Sequence, residues 1–196
     1  MTVLGITGPT GSGKTTALQQ LRKQGYLVID CDQLYHELLR SDEKLRADLR
    51  AAFGEVFLPS GELDRKALAA VVFSDDKQLQ KLDRITGPAI CAAVEAKIRS
   101  CKGKGVAIDA IKLIESGLGK LCDMTIAITA DPAVRMKRIM ARDGITQEQA
   151  KARIDAQKPD KFYRKNCTFF LENRAGSMAA FERLIGEFLE DILIEM

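Results

Sequence analysis

The stretch Gly8-Pro9-Thr10-Gly11-Ser12-Gly13-Lys14-Thr15 fits the pattern G-x-x-x-x-G-K-[ST] at every fixed position. Before it stands TVLGIT, residues 2–7, a short apolar run with β-branched residues that reads as a strand. After it TTALQQLRKQ, residues 15–24, has helical spacing and good helix formers. A chance glycine-rich turn would match the same letters, but it would not need a strand on one side and a helix on the other. Glycines at these places let successive backbone N–H groups turn inward around phosphate oxygens, and the positive end of the next helix adds to the field. The loop reads as a nucleoside triphosphate site in which Gly11, Ser12, Gly13 and Lys14 hold phosphates, Thr16 assists at the α-phosphate, and the Thr15 hydroxyl ligates Mg²⁺.

Working outward, LVID (27–30), VAID (106–109), MTIAIT (124–129) and TFFLEN (168–173) read as four further strands. VAID and MTIAIT are continuous apolar runs, the character of central strands covered on both faces. Helical segments separate the strands, which predicts an α/β fold, a three-layer P-loop NTPase domain around a five-stranded parallel sheet. Asp131-Pro132 predicts the N-cap and first residue of one helix, and Thr146 with Gln149 a capping box for another. The interval from about 32 to 101 is too long and too helical for one crossover, so it is expected to be an acceptor-side insertion. Three of its helices are placed at 64–73, 76–85 and 88–100, with Pro88 in the first turn of the last. Residues from about 138 to 165 are expected to form a lid. The chain reads as a single domain of 196 residues with these two elaborations.

Composition narrows the chemistry. No apolar run approaches the roughly 20 residues that would cross a bilayer, and no basic-then-apolar leader opens the sequence, so a cytoplasmic protein without a membrane partner is expected. The net charge of +3 does not by itself suggest a nucleic-acid binder, and none is expected as a partner. The positive charge is local: residues 131–165 hold ten Lys or Arg against five Asp or Glu, and residues 166–196 hold two against six. Five scattered cysteines, Cys31, Cys91, Cys101, Cys122 and Cys167, form no metal clip and are expected to be reduced and buried. A lone histidine, His36, rules out a histidine-rich zinc site and reads as structural. Carboxylates, hydroxyls, lysine and arginine remain.

Three features favour a small-molecule kinase. Asp32 follows the second strand at the end of the sheet where α/β proteins place ligands, a suitable position for a base; it also reads as the N-cap of the next helix. Arg135, Arg138 and Arg142 recur at i, i+3 and i+7, so they either clamp triphosphate oxygens or form a solvated face paired with Asp131 or Asp143. The basic segment after Arg142-Asp143-Gly144 suggests a lid that excludes water during transfer. Asp109 reads as an outer Mg²⁺ ligand or a turn cap.

The order of motifs resembles the dephospho-coenzyme A kinase family across nearly the whole chain. GPTGSGKTT is similar to that family's phosphate loop, VIDCD to its acidic strand end, GELDRKALAAVVF to its Leu-Asp-Arg helix, and ESGL to its acceptor segment. RIMARDGITQEQAKARI with the following AQK resembles its lid, and LENRAG its adenine-side loop. The resemblance implies Mg²⁺-ATP as co-substrate and phosphorylation of the ribose 3′-hydroxyl of dephospho-CoA, the last step of CoA synthesis; a monomer is expected. It implies catalytic roles for Lys14, Asp32, Arg138 and Arg142, nucleotide contacts from Gly11 to Thr16 and from Asn173 and Gly176, and acceptor contacts from Arg65 and Glu115. Two segments depart from the family. Gly87-Pro88 replaces a frequent His-Pro, and Lys112 interrupts an apolar stretch, where it reads as an acceptor-phosphate contact or a surface lysine. These departures keep open a kinase for another nucleoside, nucleotide or small alcohol, or a non-catalytic nucleotide sensor.

Overall fold

The computed structural model describes residues 1–72 and 75–194. Within them lie two compact units, one of residues 1–29 with the chain from 101 onward, the other of residues 30–100.

The first unit is built on a sheet of β1 (Thr2–Thr7), β2 (Tyr26–Asp30), β3 (Gly105–Asp109), β4 (Met124–Thr129) and β5 (Phe169–Glu172), in the order β2-β3-β1-β4-β5. β1 runs parallel to β3 and β4, with Ile6 opposite Asp109 on one side and Ile126 on the other, and β4 runs parallel to β5. The expected five-stranded parallel α/β sheet is what forms, with VAID and MTIAIT as interior strands. Their near-continuous burial follows from cover on both faces, since a parallel sheet has no solvated side on which to alternate polar residues. Helices α1 (Lys14–Lys23) and α9 (Met178–Ile194) pack on it together. Phe181, Ile185, Leu189 and Ile192 recur at helical spacing on α9 and meet Leu18 and Leu21 of α1 in one buried cluster. Each such side chain contributes about 1.5–3 kcal/mol by burial. Helices α6 (Pro132–Asp143), α7 (Gln147–Asp155) and α8 (Asp160–Asn166) connect β4 to β5. The expected caps form: Asp131 Oδ1 accepts from Ala133 N at 2.8 Å, and Thr146 and Gln149 make a reciprocal capping box.

The second unit holds α2 (Cys31–Ser41), α3 (Glu43–Phe53), α4 (Arg65–Val72) and α5 (Asp76–Ser100). Two expectations are corrected here. The segments 76–85 and 88–100 are one helix, and Pro88 lies inside α5 rather than in a first turn. Proline has no N–H for the carbonyl of Arg84, yet the helix continues because Leu82, Ile85 and Ala89 carry one apolar stripe past it onto Leu39, Leu45, Leu49 and Phe53. The first helix of this region ends at Val72, and Phe73, expected in it, lies outside the described residues. The N-cap of α2 is Asp30, whose Oδ1 accepts from Gln33 N at 2.9 Å; Asp32 is in the first turn and does not cap. Arg46 ties the unit internally, donating from Nη1 to Leu39 O and Gly61 O, both at 2.8 Å.

Of the five cysteines only Cys31 is buried; the other four are half-buried, and none of the five is in a disulfide. Burial pushes the Cys122 thiol up to about 12, and Cys91 and Cys167 upward as well, so thiolate chemistry is disfavoured at these three. No helix among the described residues is long and apolar enough to cross a membrane.

Candidate active site

Loop 8–15 leaves the buried end of β1 and enters α1 through three glycines with positive φ, Gly8 at 129°, Gly11 at 80° and Gly13 at 113°. A side chain is excluded at two of them for a second reason. A Cβ on Gly8 would sit 2.0 Å from Ile128 O, and one on Gly13 would meet Asn173 Nδ2 at 2.8 Å and Phe181 at 2.9 Å. The loop is thus pressed against β4 and α9, with no room for a Cβ at Gly8 or Gly13. Gly13 is also the N-cap of α1 and offers no side-chain cap; Thr16 N closes the first turn by donating to Gly13 O at 3.0 Å.

Side chains hold the outer carbonyls of the loop. Thr10 O accepts from Arg135 Nε at 3.0 Å, Gly11 O from Arg138 Nη1 at 3.1 Å, and Ser12 O from Asn173 Nδ2 at 2.9 Å and Arg138 Nη1 at 3.4 Å. In a trans peptide the C=O of one residue and the N–H of the next point in opposite directions. Pinning these three carbonyls therefore turns the amides of Gly11, Ser12 and Gly13 the other way, as a phosphate cradle requires. Lys14 Nζ donates to Gly8 O at 2.8 Å and Pro9 O at 3.2 Å, which places its ammonium at the head of the same loop. Thr15 is exposed and Thr16 buried on α1.

The arginines of α6 do not form the uniform row their spacing suggested. Arg135 is buried to 4% exposure and shares its side of the helix with buried Ile139, four residues on. Arg138 is half-buried against the loop, and Arg142 lies at the exposed helix end in a two-point ion pair with Asp143, at 2.7 and 3.0 Å. Arg153 of α7 pairs with the same carboxylate. The Arg142 guanidinium, with Arg153 behind it, holds the Asp143 carboxyl down at about 2. Burial lowers the pKa of Arg135, an effect opposed by the nearby charge of Asp160. Burial, followed by the negative charge of Glu115, pushes the Tyr163 phenol of α8 up to about 12.

Gln157, just past α7, is the residue that the reading of the sequence missed. Its Oε1 accepts from Thr10 N at 3.1 Å and from Arg135 Nη2 at 2.5 Å, and its Nε2 donates to Thr10 Oγ1 at 2.8 Å. Its only signal was a place in the AQK run. Asn173 is buried, with its amide engaged by Ser12 O and by Ala175 N, so it supports the loop from below. Gly176 is exposed and has open space where a Cβ would stand. Glu115 is exposed, close enough to Tyr163 and Cys167 to act on both electrostatically. Lys112 is exposed, and Asp109 ends β3 opposite Ile6.

In the helical unit, Asp32 is exposed on the first turn of α2. Arg65 opens α4, where Asp64 caps the helix by accepting from Lys66 N and Ala67 N, both at 3.0 Å. A cavity of about 120 Å³ is lined by His36, Leu39, Arg40, Glu62, Leu63 and Arg65, with Arg65 Nη2 3.3 Å from His36 Nε2.

A parallel sheet whose first strand feeds a glycine loop, with that loop's carbonyls pinned outward and a lysine at its head, defines a P-loop NTPase fold. The Dephospho-CoA kinase family model matches residues 2–179. The dephospho-CoA kinase of Geobacter sulfurreducens is 36% identical over 163 residues, covering 81% of this chain and 83% of the relative. Among solved structures, TT1252 from Thermus thermophilus superposes with a TM-score of 0.81 at 32% identity, covering 100% of this chain and 97% of the other. The dephospho-CoA kinase from Campylobacter jejuni does so with a TM-score of 0.69 at 25% identity, covering 97% and 96%. The chain belongs to the dephospho-CoA kinase family.

Proposed function

We propose that this protein transfers the γ-phosphoryl group of ATP to the ribose 3′-hydroxyl of dephospho-CoA, releasing coenzyme A and ADP as the last step of CoA synthesis. The observation that carries the donor half is the set of outward-pinned carbonyls at Thr10, Gly11 and Ser12, which supports inward amides for polyphosphate. Membership of the family supports the acceptor.

The amides of residues 11–16 bind the phosphates, and Lys14 leaves the Gly8 and Pro9 carbonyls to neutralise charge that grows on the transferring group. Arg138 has donors beyond the Nη1 that binds the loop, and these serve the same charge; Arg142 joins it once released from Asp143. Asp32 orients the acceptor hydroxyl and takes its proton, so the alkoxide character appears only as the phosphoryl group arrives. No covalent enzyme intermediate is needed. Arg65, with Arg40 in the lining of the same cavity, serves an anionic acceptor, with Glu115 contributing on the acceptor side, Asn173 and Gly176 on the adenine side, and residues 138–165 acting as the lid.

No group of three or more His, Cys, Asp or Glu among the described residues could hold a metal. Mg²⁺ keeps most of its water and relies on substrate phosphates with one or two protein oxygens. Thr15, exposed on the first turn of α1, is the residue whose hydroxyl we assign to it, and the bound ion would neutralise charge on the β- and γ-phosphates.

The test is incubation with ATP, Mg²⁺ and dephospho-CoA followed by mass detection, with adenosine, shikimate and a nucleoside monophosphate as rival acceptors. CoA formed far faster than any other product supports the proposal. A faster rival, prompted by Gly87-Pro88 or Lys112, would replace the acceptor; binding of ATP without any product would make the chain a nucleotide sensor.

A further inference from the structure

Thr10 is the residue at which the phosphate loop reverses. In the peptide between Pro9 and Thr10 the carbonyl accepts from Lys14 and the N–H donates to Gln157; in the next peptide the Thr10 carbonyl accepts from Arg135. The first plane directs its carbonyl toward the lysine and its amide away; the second does the opposite. The amides just downstream of this switch, those of Gly11, Ser12 and Gly13, are the ones turned to the cradle. Three contacts fix the switch from outside: Gln157 Oε1 to the amide, Gln157 Nε2 to the Thr10 hydroxyl at 2.8 Å, and Arg135 Nε to the carbonyl. Arg135 Nη2 also donates to Gln157 Oε1 at 2.5 Å, so the two side chains brace each other. The brace is buried: Arg135 is 4% exposed, with its guanidinium on these two neutral acceptors and the charge of Asp160 nearby to offset part of the cost of burial.

We propose that Gln157 is a positioning residue for the phosphate donor. Its carboxamide, oriented by Arg135, locks the two peptide planes at Thr10 and so keeps the amides of Gly11, Ser12 and Gly13 aimed at phosphate before nucleotide arrives. Because Gln157 joins α7 to α8, the same contact ties that junction to the loop. The lock acts on ground state and transition state alike, which places its effect on nucleotide binding rather than on the chemical step. The inference rests on the kinase reading for its kinetic arm only.

The test uses the full chain and Gln157→Ala, with three readouts. In the absence of nucleotide, the Thr10 amide exchanges at least about tenfold faster with solvent in Gln157→Ala, the expected loss of one hydrogen bond. Gln157→Glu, which keeps an oxygen for the amide and for Arg135 while the threonine hydroxyl turns to donate, recovers slow exchange. With nucleotide, Gln157→Ala weakens ADP binding by calorimetry and raises KM for ATP, each about tenfold, while kcat changes less than about threefold. A cycle with Thr10→Ala shows coupling, the double variant binding ADP no more weakly than Gln157→Ala within about twofold. Unchanged Thr10 exchange in Gln157→Ala, or an additive cycle, overturns the proposal. If the unaltered protein binds ADP but makes no CoA, the assigned reaction fails, and the exchange and ADP readouts still decide the role of Gln157.

Discussion

The phosphate loop and the helical unit of residues 30–100 solve different problems. In the loop, eight consecutive residues meet constraints from β4, α6, α9 and the turn after α7, and the carbonyls of Gly8, Pro9, Thr10, Gly11 and Ser12 each have a partner placed to orient them. In the helical unit the candidate residues Asp32 and Arg65 are exposed, and the ordered contacts serve the fold itself, such as Arg46 and Arg50 stacked at 4.6 and 4.7 Å on the Phe57 ring. Polyphosphate has one shape to which a backbone cradle can be fitted in advance. An acceptor is bound by a few side chains on an ordinary helical scaffold. A motif therefore survives as a contiguous string in the first region and as scattered residues in the second.

The contrast is broken most severely by Lys14→Ala, which removes the cation at the loop head and is expected to lower kcat by about 10⁴-fold in the CoA-forming assay with the fold intact by circular dichroism. Asp32→Asn keeps the shape of the side chain and loses its basicity. A fall in kcat of about 10³-fold with ADP affinity unchanged by calorimetry is expected, and unchanged turnover would remove Asp32 from the mechanism.

A pair of stability variants sharpens the comparison. Gly8→Ala forces a Cβ to within 2.0 Å of Ile128 O at φ 129° and is expected to cost about 3 kcal/mol or more, lowering Tm by roughly 6–12 °C in a thermal melt. Pro88→Ala in the interior of α5 restores an N–H for Arg84 O and is expected to raise stability by about 1–3 kcal/mol. A loop that tolerates alanine better than the helix does would reverse the comparison.

The sequence made the sheet legible because buried parallel strands are short apolar runs that need no partner to be recognised. MTIAIT is β4 to the residue. The loop was legible because its chemistry is local. What stayed hidden depends on packing. Pro88 is a local helix breaker, and only the stripe formed by Leu82, Ile85 and Ala89 against α2 and α3 overrides it. Asp30 and Asp32 are equally good caps by type, and the start of α2 chooses between them. Arg135 and Arg142 look alike on a helical wheel until the fold buries the first beside Ile139 and leaves the second at the exposed end with Asp143. Gln157 stands 147 residues from Thr10, a distance no spacing rule spans.

The smallest effect concerns pH. The Asp143 carboxyl is held at about 2, below its ordinary value near 4, by Arg142 and then Arg153. A depressed carboxylate pKa favours the fold at pH above the unfolded value, and that contribution is lost as pH falls from about 4 through about 2. Carboxyl NMR is expected to show Asp143 titrating near 2. A midpoint near 4 would mean that neither Arg142 nor Arg153 is committed to Asp143 in solution.

The central claim, that the backbone of residues 8–15 is a cradle shaped in advance for polyphosphate, is tested most directly by a crystal structure with ADP bound. The account predicts the β-phosphate within hydrogen-bonding distance of the amides of Gly11, Ser12, Gly13 and Lys14, with Lys14 Nζ moved from Gly8 O and Pro9 O onto phosphate oxygen and the Thr10, Gly11 and Ser12 carbonyls still on Arg135, Arg138 and Asn173. ADP bound elsewhere, or a loop that must turn those carbonyls over to receive it, would contradict the account.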